Sequence, residues 1–207
     1  MDYVFTIHDG TNSRIVDQKE IDEYIIEYGL DAIAKDRVSA LFVINLMLLE
    51  LVSGVDPYLV INEIKALENL RPSMQTKTEA EFRGEHLKGL WHKHFLADLP
   101  SVIATNILNQ LGKNGIRNIS REVLDPNISP VITKEMLDEL THKVVVESLE
   151  KRAEQDKLTG EWIVYAKENN SNYYLGIWRH DAGDEKIAKA IKDTCMPEFP
   201  FLSKYIS

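Results

Sequence analysis

Glu161-Trp162-Ile163-Val164-Tyr165-Ala166-Lys167, then Asn169-Asn170-Ser171-Asn172, then Tyr173-Tyr174-Leu175-Gly176-Ile177-Trp178-Arg179 is the stretch whose reading decides the fold. Two runs rich in aromatic and β-branched residues flank a polar turn, which predicts a β-hairpin. A hairpin alone is marginally stable, so a third strand or a helix has to cover it. Tyr3-Val4-Phe5-Thr6-Ile7, ahead of the turn pair Asp9-Gly10, is the candidate third strand. Downstream, Asp184 reads as the cap of a helix with Ile187 and Ile191 facing inward and Cys195 at its end. The Pro-broken apolar tail Met196–Leu202 is expected to pack in extended form on the domain.

Upstream of the hairpin the hydrophobic period is near 3.6 and the chain reads as helices. Asp17 with Glu20 marks one start, and Ile21, Tyr24, Ile25 and Tyr28 share its face up to Gly29. Asp36 is the expected cap of an apolar helix through Val38–Val52, ended by Gly54; Glu50 sits in it as an edge residue or a buried acid. Asp56-Pro57 opens a third helix reaching Leu70. Thr78 with Glu81 predicts a helical segment towards Phe95, weakened by Gly84 and Gly89. Leu99-Pro100 starts another, lined by Ile103, Ile107 and Leu111 and ended by Gly112. Residues 113–132 read as irregular, Thr133 begins the longest helix, and that helix fades in the charged, solvated run Glu150–Lys157.

The expected class is therefore α+β: a predominantly helical N-terminal two-thirds, a small antiparallel sheet (hairpin about 161–179) and a closing C-terminal helix. It is read as one domain, 1–207, with sub-lobes 1–72 (acidic, helical) and 78–207 (helix plus hairpin) joined by a linker at 71–78.

The 207 residues carry a net charge of −9 and a single cysteine. A chain of this length closes a core without metal or disulfide, and one cysteine fits a reducing compartment. The basic start of a secretory signal is missing at Met1-Asp2-Tyr3, and Val38–Val52 is too short to span a bilayer, so the cytoplasm is the expected location, with no membrane partner. Residues 1–82 hold 15 acidic and 7 basic side chains; residues 83–207 hold 18 and 17, with five of the six histidines. An anionic partner such as RNA would meet the second part, and a basic protein the first. Phosphate-binding glycine loops, His-Glu-x-x-His, Gly-x-Ser-x-Gly, Cys-x-x-Cys and EF-hand spacings do not occur, which argues against the common nucleotide, zinc, serine-hydrolase and calcium chemistries.

His86-Leu87-Lys88-Gly89-Leu90-Trp91-His92-Lys93-His94-Phe95 is the densest cluster of chemical side chains. On a helix His92 and His94 point about 200° apart; on a strand they project together. Three readings stand: an acid/base or anion site, since imidazole titrates near neutral pH and Lys93 can hold phosphate charge; a metal site joining His92 and His94 to Asp98 or His86; or a helix with Leu87, Leu90, Trp91 and His94 facing the core. Arg179-His180-Asp181 ends the second hairpin strand, where it is either a site or a polar turn. Trp162, Tyr165, Tyr173, Tyr174 and Trp178 offer either base stacking or cross-strand packing, and Cys195 reads as a small core residue.

Helices followed by Gly160–Lys167, Asn172–Leu175 and Arg179-His180-Asp181 resemble the small metal-independent RNase toxins of the barnase, colicin and RelE-like class, phage-associated versions included. The likeness covers mainly residues 160–195. It implies an α+β fold and RNA cleavage without a cofactor or metal, with His180 and Arg179, and Tyr165 beside them, at the sheet. The candidate catalytic set is thus His92, His180, Arg179, Lys93 and Tyr165. Two other functions compete with it: a non-enzymatic acidic binding module (an immunity, antitoxin or phage accessory factor), whose histidines would lie apart, and a His-ligated metalloenzyme.

Overall fold

The computed structural model describes residues 3–8, 12–97 and 100–206, and the chain is mixed α+β with two antiparallel sheets. Asp9-Gly10, Asp98, Leu99 and the first two residues lie outside the described residues. Strands and helices interleave, which corrects the expected order of helices first and sheet last.

Two compact units are present. Unit 1 comprises 1–74, 78–97 and 160–207; unit 2 comprises 75–77 and 98–159. Three residues of the 71–78 stretch read as a linker thus fall in unit 2.

Unit 1 begins with β1 (Val4–His8) paired to β2 (Ser13–Asp17) as a separate two-stranded sheet. The N-terminal strand therefore forms, but it does not join the 161–179 hairpin. Asp17 caps α1 (Gln18–Glu27) by accepting from the Glu20 amide at 3.0 Å. After α2 (Leu30–Ala34) comes the apolar α3 (Ala40–Ser53), capped by Ser39. Asp36, the expected cap, lies outside the helix with φ 56°. Glu50 accepts from both Tyr24 and Tyr28 hydroxyls at 2.8 Å, so this acid of an apolar helix is spent on bridging α1 to α3. Asp56-Pro57 opens α4 (Pro57–Leu67), as the Asp-Pro signature predicts.

The segment expected to be a helix through 78–95 is instead extended. It forms β3 (Ala80–Glu81), a turn through 84–89 and β4 (Trp91–Phe95). Pairing with a neighbouring strand overrides a weak helical tendency already broken by two glycines. The neighbour is β5 (Glu161–Glu168), which continues through a two-residue turn at Asn169-Asn170 into β6 (Ser171–Trp178). Both turn asparagines have positive φ, 50° and 62°, as the primed hairpin turns require.

The sheet order is β3-β4-β5-β6. The outer edge of β6 is closed by the chain before α3. Tyr174 N–H donates to Arg37 O at 2.7 Å, Ser39 N–H to Tyr174 O at 3.0 Å, and Ile177 N–H to the Asn45 side chain at 3.0 Å. An edge satisfied in this way offers no template for pairing with another chain. One face of the sheet packs through Val164, Ala166 and Leu175 on α9 (Asp184–Thr194), with Ile187, Ile191 and Cys195 in the core. Gly183, rather than Asp184, occupies the N-cap. Burial pushes the Cys195 thiol up to about 12, which fits a core residue and not a nucleophile. The tail does pack down, with Phe199 and Leu202 buried, but Pro200–Lys204 is a 3₁₀ turn rather than an extended strap.

Unit 2 is helical. It contains α5 (Pro100–Leu111), α6 (Gly115–Val123), α7 (Lys134–Thr141), a π turn at His142–Val146 and α8 (Glu147–Glu154). The α6 helix corrects the reading of 113–132 as irregular: Ile116, Ile119 and Val123 recur at helical spacing, and that periodicity outweighs the Asn-Gly turn signal. Thr133 caps α7 as expected. Arg152, in the run read as solvated, is buried.

Candidate functional site

The alternation of β4 puts His92 and His94 on one side of the sheet and Trp91, Lys93 and Phe95 on the other. The register then aligns His94 with Trp162, and Trp162 with Trp178. His180 follows two residues after β6, so the end of the sheet gathers three imidazoles around the Trp162 indole. Ring centroids are 4.4 Å from Trp162 to His180, 5.0 Å from Trp162 to His92 and 4.9 Å from His94 to His180. Phe82 closes the side nearest His92, at 4.5 Å.

His94 Nδ1 is the junction of this cluster. It lies 3.0 Å from Gly160 O, 3.4 Å from Gly160 N and 3.3 Å from His180 Nε2. With its proton on Nδ1, His94 donates to the Gly160 carbonyl; with its proton on Nε2, it accepts from the Gly160 amide or from His180. The pair thus has two hydrogen-bonded states related by a proton shift. Glycine at 160 permits the approach, because a Cβ there would sit 1.7 Å from Phe95 O. His94 is buried and His180 is exposed, so the second imidazole meets solvent while the first is held in place.

Glu161 fixes the chain that carries His180. Its Oε2 accepts the His180 amide at 3.0 Å, and the residue is 8% exposed. Burial raises the Glu161 carboxyl above its ordinary value, against the smaller opposing effects of the His180 amide and the Arg179 charge. A carboxyl with a raised folded pKa stabilises the fold below its unfolded pKa, and that contribution fades as pH rises through the folded value. Glu161→Gln is therefore expected to favour pH 7: relative to the wild type, the variant's urea midpoint should be higher at pH 7 than at pH 4. An effect of the substitution that is the same at both pH values would contradict a desolvated carboxyl.

The other sequence candidates are placed as follows. Arg179 is exposed and reaches Asp181 at 3.2 Å, beside His180. Lys93 points to the opposite face, where it is 3% exposed, 3.5 Å from Glu63 and 3.0 Å from Ser73 Oγ. Tyr165 is fully buried on that same face, with its hydroxyl unpartnered among the described residues and its pKa raised by burial. The fold therefore brings His92, His180 and Arg179 to one end of the sheet and keeps Lys93 and Tyr165 away from them. The catalytic set read from the sequence left out His94, which was weighed there as a metal ligand or a core-facing residue, and Glu161 was not singled out. The extended reading of 91–95 was the signal for His94, because it alone puts 92 and 94 on one face. Glu161 has no such signal, because its role depends on the return of β6.

Among the described residues no group of three His, Cys, Asp or Glu side chains is arranged to hold a metal ion. No helix among them is long and apolar enough to cross a membrane. Comparison with protein-family models, curated proteins and solved structures finds no match to this chain.

Proposed function

We propose that unit 1 cleaves RNA by metal-independent acid/base catalysis at the His94–His180 pair. The observation that carries this reading is the 3.3 Å contact between two imidazoles that are 86 residues apart in sequence. A non-enzymatic binding module has no need of such a contact. In the proposed reaction, His180 takes the proton of a ribose 2′-hydroxyl, and the freed oxygen attacks the adjacent phosphorus. The bond from phosphorus to the 5′-oxygen breaks, and that oxygen takes a proton from His92 in its imidazolium form. His94 holds His180 in place and sets its tautomer. Arg179 offsets the charge on the phosphoryl oxygens, since its exposed bond to Asp181 is weak enough for a phosphate to displace.

The test is incubation of the purified protein with mixed cellular RNA, with and without EDTA. Cleavage is expected to persist in EDTA and to fall by about 100-fold or more in His180→Ala, the size of a lost acid/base group. His94→Ala should fall by less, as expected of a positioning residue, and should shift the pH profile. Cleavage lost on adding EDTA, or absent from folded protein in every condition, would overturn the proposal.

A further inference from the structure

We propose that unit 2 binds double-stranded DNA through α6, independently of the RNA chemistry assigned to unit 1. Residues 99–121 contain no Asp or Glu, although the whole chain has 33 acidic residues and a net charge of −9. Within that acid-free stretch the only charges are Lys113, Arg117 and Arg121, spaced four apart. Four-residue spacing on a helix stacks Arg117 and Arg121 one turn apart on a single face, with Lys113 just ahead of it. All three side chains are exposed, and none has an ion pair among the described residues. The nearest acid, Glu122, is instead engaged by Lys143 at 2.7 Å. The stripe is thus a cationic face without an internal partner, on an otherwise acidic protein.

The helix is also presented in a form that fits a groove. Leu111 ends α5, Gly112-Lys113-Asn114 forms the turn and Gly115 begins α6. Gly112 has φ +65°, a conformation that an L side chain adopts with strain. A three-residue, glycine-containing turn between two helices is one feature of the helix-turn-helix, whose second helix meets nucleic acid. The major groove of B-form DNA is about 12 Å wide and admits an α-helix, whereas that of A-form RNA is too narrow. Groove shape therefore favours duplex DNA over duplex RNA, and the arginines supply the phosphate contacts.

The experiment is fluorescence anisotropy of a labelled 30-base-pair DNA duplex titrated with the full chain between 50 and 200 mM salt. Duplex RNA and single-stranded RNA of the same sequence serve as competitors. Saturable binding to the DNA is expected, with duplex RNA competing at least about tenfold more weakly. Arg117→Glu with Arg121→Glu should weaken binding by about tenfold or more and reduce the salt slope by about 2, one for each lost phosphate contact. His180→Ala should leave binding unchanged, so a failure of the RNA-cleavage reading does not affect this result. As a measurement that needs no variant, hydrogen exchange of 112–123 in the wild type should slow when DNA is added. The proposal is overturned by no DNA binding at 50 mM salt, by duplex RNA displacing the labelled DNA as well as unlabelled DNA does, by affinity unchanged in the charge-reversed variant, or by binding without protection of α6.

Discussion

Lys93→Ala is expected to destabilise unit 1 by about 3–5 kcal/mol, the cost of stranding one member of a buried ion pair. Lys93 is 3% exposed and Glu63 is fully buried, with 3.5 Å between Nζ and the carboxylate. Ser73 ties the two together, donating to Glu63 at 3.0 Å while accepting from Lys93 at 3.0 Å. Glu63 also accepts the Met74 amide at 3.2 Å, so the carboxylate anchors the chain that follows α4. Removing the lysine leaves that carboxylate without its counter-charge in an interior that solvates it poorly. Replacing both partners with apolar residues, Lys93→Met with Glu63→Leu, is expected to recover most of the loss, because no charge then remains to be desolvated. Urea denaturation of the two variants decides the matter. A Lys93→Ala cost under about 1 kcal/mol, the range of an exposed pair, would show that water reaches the site.

The second large effect belongs to unit 2, where Asn106 holds together three segments. Its side-chain oxygen accepts from Arg152 Nε at 3.0 Å, from the Thr159 amide at 2.9 Å and from the Thr159 hydroxyl at 3.1 Å. Its amide nitrogen donates to Val102 O at 3.0 Å and to Thr159 O at 2.6 Å. Arg152 completes the junction by donating to the carbonyl of Lys157. Burial pulls the pKa of this guanidinium down, as expected of a cation held by neutral oxygens. Asn106→Ala is expected to cost about 3 kcal/mol, because it leaves a buried cation and several backbone groups short of partners. The loss should appear as faster hydrogen exchange at Thr159 and as earlier proteolysis within 98–159. Arg152→Met in the Asn106→Ala background should restore more than about 1 kcal/mol, since it removes the stranded charge. A further loss on adding Arg152→Met would show that the arginine has other support.

Much of the fold was legible wherever local chemistry decides the backbone. Asp17 with Glu20, Asp56 with Pro57, Thr133, Gly54 and the Asn169-Asn170 turn each act within a few residues, and each is found where its pattern places it. The 161–179 hairpin is legible for the same reason: its partner strand is its own continuation. The helix at 115–123 was also present in the spacing of Ile116, Ile119 and Val123, but turn residues around it obscured the pattern.

Local chemistry along the chain thus carries the class, the hairpin, several helix ends and the set of histidines from which a site is built. Tertiary structure alone decided that 91–95 is a strand, because the hydrogen bonds that hold it belong to β5, some seventy residues later. That one choice turns His92 and His94 to the same side and sends Lys93 into the core with Glu63. It also decided that β1 and β2 pair with each other rather than with the hairpin, since residues 37–45 satisfy the edge of β6 that another strand would need. The contact between His94 and His180 follows from the first of these, as a product of the β4-β5-β6 register between distant segments, which no local spacing encodes.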